Sequence, residues 1–124
     1  MVTKEQARAS FALEMITECF RDKVDKDTAN FIVGAPTMIL TNGLGQSMAF
    51  LLSKKDKEKH KNLFLIIKKW LSKECAALNA DADMDFLKQL AAAEQKTYVN
   101  AQNEALAMLQ WLKRYARAFQ EGGR

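Results

Sequence analysis

The sequence predicts an all-α fold, a compact bundle of about six helices, and three observations carry that expectation. Apolar residues recur at helical spacing along almost all of the 124 residues. No stretch of useful length alternates apolar and polar side chains as a half-buried strand would. Five Gly and one Pro are too few for the many turns of a β-sandwich. A chain of this length is expected to form one domain over residues 1–124, with 121–124 frayed. Hydrophobic residues at 48% and charged residues at 27% argue against wholesale disorder.

The first helix should start after Thr3, whose hydroxyl can cap the amide of Gln6 in a T-x-x-Q capping box. Its apolar stripe is Ala7, Phe11, Met15 and Cys19, widened by Ala12, Ile16 and Phe20. Charges from Arg21 to Asp27 mark a turn. The second segment, Thr28 to Leu40, offers Phe31, Ile32, Ala35, Ile39 and Leu40 to the core. Pro36 must either open a helical turn or kink one, because it lacks an amide and clashes one turn back.

Asn42-Gly43 ends that segment, and a third helix runs from about Leu44 to Lys54, burying Leu44, Met48, Leu51 and Leu52. The fourth, about Lys57 to Leu78, carries Leu63, Ile67, Trp70, Leu71 and Cys75 on one face. A short fifth begins within 81–85 and buries Phe86, Leu87 and Leu90. The sixth, about Glu94 to Phe119, has the stripe Tyr98, Ala105, Leu109, Leu112, Ala116 and Phe119. Lys69 to Lys73 faintly echoes Gln110 to Arg114, an echo that helical periodicity produces by chance.

No stretch reaches the roughly 18 uncharged apolar residues of a membrane span. The charges of Met1 to Arg8 are followed by no apolar signal core, so no secretory signal is expected. Cys19 and Cys75 lack C-x-x-C spacing and read as reduced core thiols of a cytoplasmic protein.

Catalytic constellations fail one by one. His60 is the single histidine, set in a lysine run where it should be solvated, and Glu58 lies on another side of the same helix. Asp81, Asp83 and Asp85 resemble the opening of a calcium loop, but Phe86 and Ala92 stand where Gly and Glu are required. They are better read as carboxylates at a helix N-terminus, capping free amides and facing the positive dipole end. Gly43-Leu-Gly45 lacks the third glycine of a dinucleotide loop, Met48 taking that place. No catalytic residue, metal or other cofactor is expected.

The charge is uneven. Nineteen basic and fifteen acidic residues give a formal +4. Residues 54–73 hold eight basic and two acidic residues, net +6, while 74–112 hold two and six, net −4. Residues 113–124 hold four and one, net +3, and 1–53 hold five and six, net −1. At about 100° per residue, Lys57, Lys61 and Lys68 share one side of the fourth helix, extended by Lys69 and Lys73, with Lys54 just before it. On the sixth, Lys113, Arg114 and Arg117 share a face with Asn100, Asn103 and Gln110. Point charges mixed with amides suit an RNA backbone. A lysine run is also simply what a solvated face looks like. Leu65, on the side of Lys61 and Lys68, would suit a subunit contact.

Two segments reach further. Thr41-Asn-Gly-Leu-Gly-Gln-Ser-Met-Ala-Phe-Leu-Leu52 resembles the signature of the small helical subunit of type III-B CRISPR effector complexes, the RAMP-module (Cmr) family. Glu104-Ala-Leu-Ala-Met-Leu-Gln-Trp-Leu-Lys-Arg-Tyr-Ala-Arg-Ala118 resembles the last helix of that family, and Gln6-Ala-Arg-Ala its first. Asp22 to Pro36 and Ser72 to Gln95 carry little resemblance.

The resemblance implies a non-catalytic subunit for antiviral defence in the cytoplasm. Such subunits stack in a filament beside the other Cmr subunits and line the groove holding guide RNA and target RNA. Asn42, Gly43, Leu44, Gly45 and Gln46 match the signature. Gly43 should take a positive φ at a helix end and Gly45 should permit close approach, while Asn42 and Gln46 are secondary candidates for RNA contact. Lys113 and Arg114 match the basic tail positions and are the leading RNA contacts; the lysines of 54–61 rest on charge alone. The alternative is a helical protein–protein adaptor whose basic face meets acidic partners and no nucleic acid. A small helical enzyme fares worst, for want of catalytic groups.

Overall fold

Seven α-helices follow one another among residues 1–122, the part of the chain that the computed structural model describes. They are α1 (Lys4–Phe20), α2 (Lys26–Val33), α3 (Ala35–Asn42), α4 (Leu44–Ser53), α5 (Glu58–Glu74), α6 (Asp83–Ala92) and α7 (Gln95–Ala118). The expected second helix is two helices, because Gly34 caps α2 with its amide on Asn30 and Phe31. Pro36 then falls in the first turn of α3, where its missing amide would have had no helical partner. It opens a helix. No strand occurs among the described residues, and no helix among them is long and apolar enough to cross a membrane.

The chain divides into two units. One comprises residues 1–36 together with 106 onward, the other residues 37–105, so α7 supplies residues to both. In the first unit the expected capping box forms: the Gln6 amide donates to Thr3 Oγ1 at 3.1 Å and the Thr3 amide to Gln6 Oε1 at 2.8 Å. Phe11, Ala12, Met15 and Ile16 are buried along α1, with Ala7, Cys19 and Phe20 half-buried at the stripe's ends.

Arg21 and Asp22 reverse the chain at positive φ (53° and 63°). Non-glycine residues there cost roughly 1–2 kcal/mol each. The reversal is secured by the Arg21 amide on Thr17 O and by Thr17 Oγ1 on Asp22. Asp25 caps α2 at the Thr28 amide. A single parallel bridge joins buried Val24 to Gln120, with the Val24 amide on Phe119 O and the Glu121 amide on Val24 O. Of the end expected to fray, Glu121 is thus tied, and residues 123 and 124 lie outside the described residues.

In the second unit α4 packs on α5 and α6. Leu44, Met48, Leu51, Leu63, Ile67 and Trp70 are fully buried. At about 1.5–3 kcal/mol per fully buried large apolar side chain, these stripes dominate the unit's stability. Phe64 and Phe86 meet edge to face, ring centres 6.5 Å apart. The Trp70 indole N–H donates to buried Glu104 Oε1 at 3.2 Å.

Three expectations need correcting here. Leu40 is 68% exposed, because α3 turns Ile39 inward and Leu40 lies about 100° round from it. α5 stops at Glu74, with Cys75 extended, although Cys75 and Leu78 remain buried as extended and turn residues. α6 has no side-chain cap at all: Asp83 and Asp85 act on it through its dipole alone. Neither cysteine forms a disulfide; Cys75 is buried and Cys19 half-buried.

Candidate nucleic-acid interface

The signature residues 42–46 form the corner between α3 and α4, and Gly43 is its pivot. Its amide closes α3 on Ile39 O at 2.7 Å, its carbonyl receives the Ser47 amide of α4, and its φ is +85°. L-residues rarely adopt that conformation, so the glycine is there for its backbone. No side chain at Gly43 can cap α4. The caps arrive from α7 instead. Tyr98 and Gln102, one turn apart, take the first free amides: Tyr98 Oη accepts from Gly45 at 2.7 Å and Gln102 Oε1 from Leu44 at 2.9 Å. A Cβ on Gly45 would come within 3.2 Å of Tyr98 Oη, so a side chain there would press on the hydroxyl that caps α4. Gly43 and Gly45 therefore play the backbone and close-approach parts expected of them, and Leu44 is fully buried. Asn42 and Gln46 point to solvent and, with Met38 and Phe50, line a recess of about 330 Å³.

The lysine run lies at the next helix start. Lys54, Lys55 and Asp56 form the turn after α4, and α5 starts behind Lys57 without a side-chain cap. Cations at a helix N-terminus oppose its dipole, a loss of some tenths of a kcal/mol each at an exposed site. Glu58 in the first turn offsets only part of this. Lys54, Lys57 and Lys61 are exposed and enter no ion pair among the described residues.

His60 overturns its expectation. It is 8% exposed rather than solvated, and its ring meets Phe50 at 5.7 Å between centres and 62° between planes. Its pKa is held below the ordinary 6.5, first by burial, then by Lys57, Lys59 and Lys54, with Asp56 opposing.

Further along α5 the expected basic side breaks up. The Lys68 side chain is only 12% exposed: its ammonium bonds Asp83 Oδ1 at 2.9 Å and the Asp81 carbonyl, and lies 5.9 Å over the Phe86 ring. That lysine pins the segment before α6 to α5 and is withdrawn from the exposed face. Lys69 and Lys73 are exposed, the latter 5.9 Å over the Trp70 ring. Leu65 is exposed, as its position among lysines suggested.

The first unit has basic residues of its own on α7. Arg114 and Arg117 are exposed and Lys113 half-buried, with Arg117 bonded to neutral Gln120 at 2.8 Å. Lys113 and Arg114 enter no ion pair among the described residues. Arg114 lines a recess of about 350 Å³ with Glu5, Gln110, Trp111 and Tyr115, whose two rings stand 6.0 Å apart.

Sequence reasoning missed the four groups that finish these sites: Tyr98 and Gln102 as caps, and Phe50 and Met38 beside the signature amides. The signal was present as one-turn spacing, Met38 with Asn42, Gln46 with Phe50 and Tyr98 with Gln102. Against known families, the one described as CRISPR-associated protein (Cas_Cmr5) matches residues 4–119. The match spans α1 through the end of α7 and includes both the α3–α4 corner and the basic tail, and so the chain belongs to that family, the small CRISPR-associated subunit of type III-B Cmr complexes.

Proposed function

We propose that this chain is a non-catalytic, RNA-binding scaffold subunit of the Cmr effector. Copies stack in a filament beside the other subunits, and their basic faces follow the backbone of the guide RNA–target RNA duplex, in the cytoplasm and in antiviral defence. One observation supports this most: Lys54, Lys57, Lys61, Lys113 and Arg114 keep their charge unneutralised by any carboxylate among the described residues. Lys68, which does have a carboxylate partner, marks the contrast.

Repeated along a filament, such groups make a channel that attracts phosphates of any sequence. Each contact is weak alone and strengthened by the number of copies engaged. Family membership gives the setting, a complex with other Cmr subunits.

The test is made on the assembled complex. Reversing Lys113, Arg114 and Arg117 to Glu should reduce co-purifying guide RNA and its retention at rising salt, with the other subunits still bound. If RNA retention is unchanged while a protein subunit is lost, the basic face meets an acidic protein partner and the RNA reading fails.

A further inference from the structure

The outward side of the α3–α4 corner gathers four side chains. Met38 and Asn42 lie one turn apart on α3, Gln46 and Phe50 one turn apart on α4, and the four line one recess. Phe50 is 42% exposed, a large aromatic ring on the solvent side of α4 with Gln46 and Ala49. The side-chain amides of Asn42 and Gln46 are exposed and enter no hydrogen bond with a described residue. His60 gives the Phe50 ring a fixed neighbour. Lys54 caps the C-terminus of α4 four residues after Phe50, and Lys57 and Lys59 lie within three residues of His60, so the chain places cations beside the Phe50–His60 pair, with Asp56 among them.

A fixed exposed ring, two unused amides and adjacent cations form one combination of chemistry. We propose that this recess receives a single unpaired nucleobase of the bound RNA, stacked on Phe50 and bonded along its edge by Asn42 and Gln46, with its flanking phosphates against Lys54 and Lys57. The inference rests on the RNA-binding reading above and names the contact that reading lacks.

Every base offers a π-face to an aromatic ring, and unpaired bases expose edges that amides can both donate to and accept from. A helical peptide would need a groove long enough for anchors at i, i+4 and i+7. Four residues around about 330 Å³ are too small for that. An acidic peptide would use the lysines and leave both amides and the ring idle.

The full effector complex, rebuilt with wild-type chain, Phe50→Leu or Phe50→Tyr, is irradiated with guide RNA and a uridine-rich single-stranded target. Nucleotide adducts are then mapped by mass spectrometry. Leu keeps the apolar contact with His60 and removes the π-face; Tyr keeps both. Adducts on the peptide containing Phe50 should appear with wild type and Tyr, and fall about tenfold with Leu. Affinity for unpaired RNA should weaken by about the same factor, in the range of one lost base–aromatic stack. Affinity for a fully paired duplex should not change.

Adducts confined to Lys54–Lys61, with Leu and wild type binding alike, would overturn the base site and leave the basic-face reading standing. Absence of RNA from every form of the complex would overturn both. Loss of a protein subunit from the Leu complex, with RNA affinity intact, would reassign the recess to a protein contact.

Discussion

The starts of α4 and α5 lie fifteen residues or fewer apart in sequence and are finished in opposite ways. Both lack a capping side chain of their own. At α4, neutral groups from α7 fill the gap, Tyr98 and Gln102 taking two amides, with a glycine on each side of buried Leu44. At α5, lysines surround the gap and add to the positive dipole end. The first end is closed by the protein itself. The second is left with Lys57 at the N-cap position and Glu58 in the first turn as the only counter-charge within the helix start. The same local problem thus has one solution inside the fold and, in the proposed reading, one that awaits a polyanion, and substitutions at the two ends should fail in different assays.

The largest effect on folding is expected at Gly43. Gly43→Ala forces a side chain onto φ +85°, which costs on the order of 1–3 kcal/mol. Thermal unfolding should show a midpoint several degrees lower, with no change in the salt dependence of RNA binding beyond that. Next comes Tyr98→Phe, which leaves the Gly45 amide unpaired at a part-buried site. A loss of about 1–3 kcal/mol by denaturant titration is expected. Tyr98→Phe with unaltered stability would mean that the cap is decorative.

The smallest effect is a titration. His60 is neutral in the fold with a pKa below 6.5. Between its folded and unfolded values the unfolded chain binds more protons. Stability is therefore full above about pH 6.5 and declines as pH falls through the folded pKa. His60→Gln should flatten that decline. Polyanion at Lys54, Lys57 and Lys59 would offset their repulsion and move the His60 pKa back up, a shift that imidazole NMR resonances can follow.

What was legible in the sequence was what one element decides alone. The Thr3–Gln6 box, the α1 stripe and the positive φ of Gly43 are local consequences of residue type and spacing. What was not legible depended on distant partners. Lys68 looks like any lysine on a charged face until Asp81 and Asp83, thirteen and fifteen residues on, fold over it. His60 reads as solvated because its neighbours in sequence are charged, whereas its neighbour in space is Phe50 of another helix. Gly34 divides the second segment because a helix that can end with its amide on Asn30 and Phe31 lets Pro36 start a new one. Leu40 reads as core beside Ile39, although adjacent residues of a helix lie about 100° apart, and only Ile39 faces the core. At the candidate site, the backbone parts of Gly43 and Gly45 were legible from residue type, but not that Tyr98 and Gln102 of α7 would cap the helix they open.

The central claim is that the α5 start is an open electrostatic site for RNA phosphates. The most direct measurement is the slope of log affinity against log salt for target RNA on the complex, with wild-type chain and with Lys54, Lys57 and Lys61 all changed to Gln. Each lost phosphate contact should make the slope shallower by about 0.7–0.9, so the triple variant should lose roughly two or more if all three lysines engage. An unchanged slope, with the fold intact, would contradict the claim.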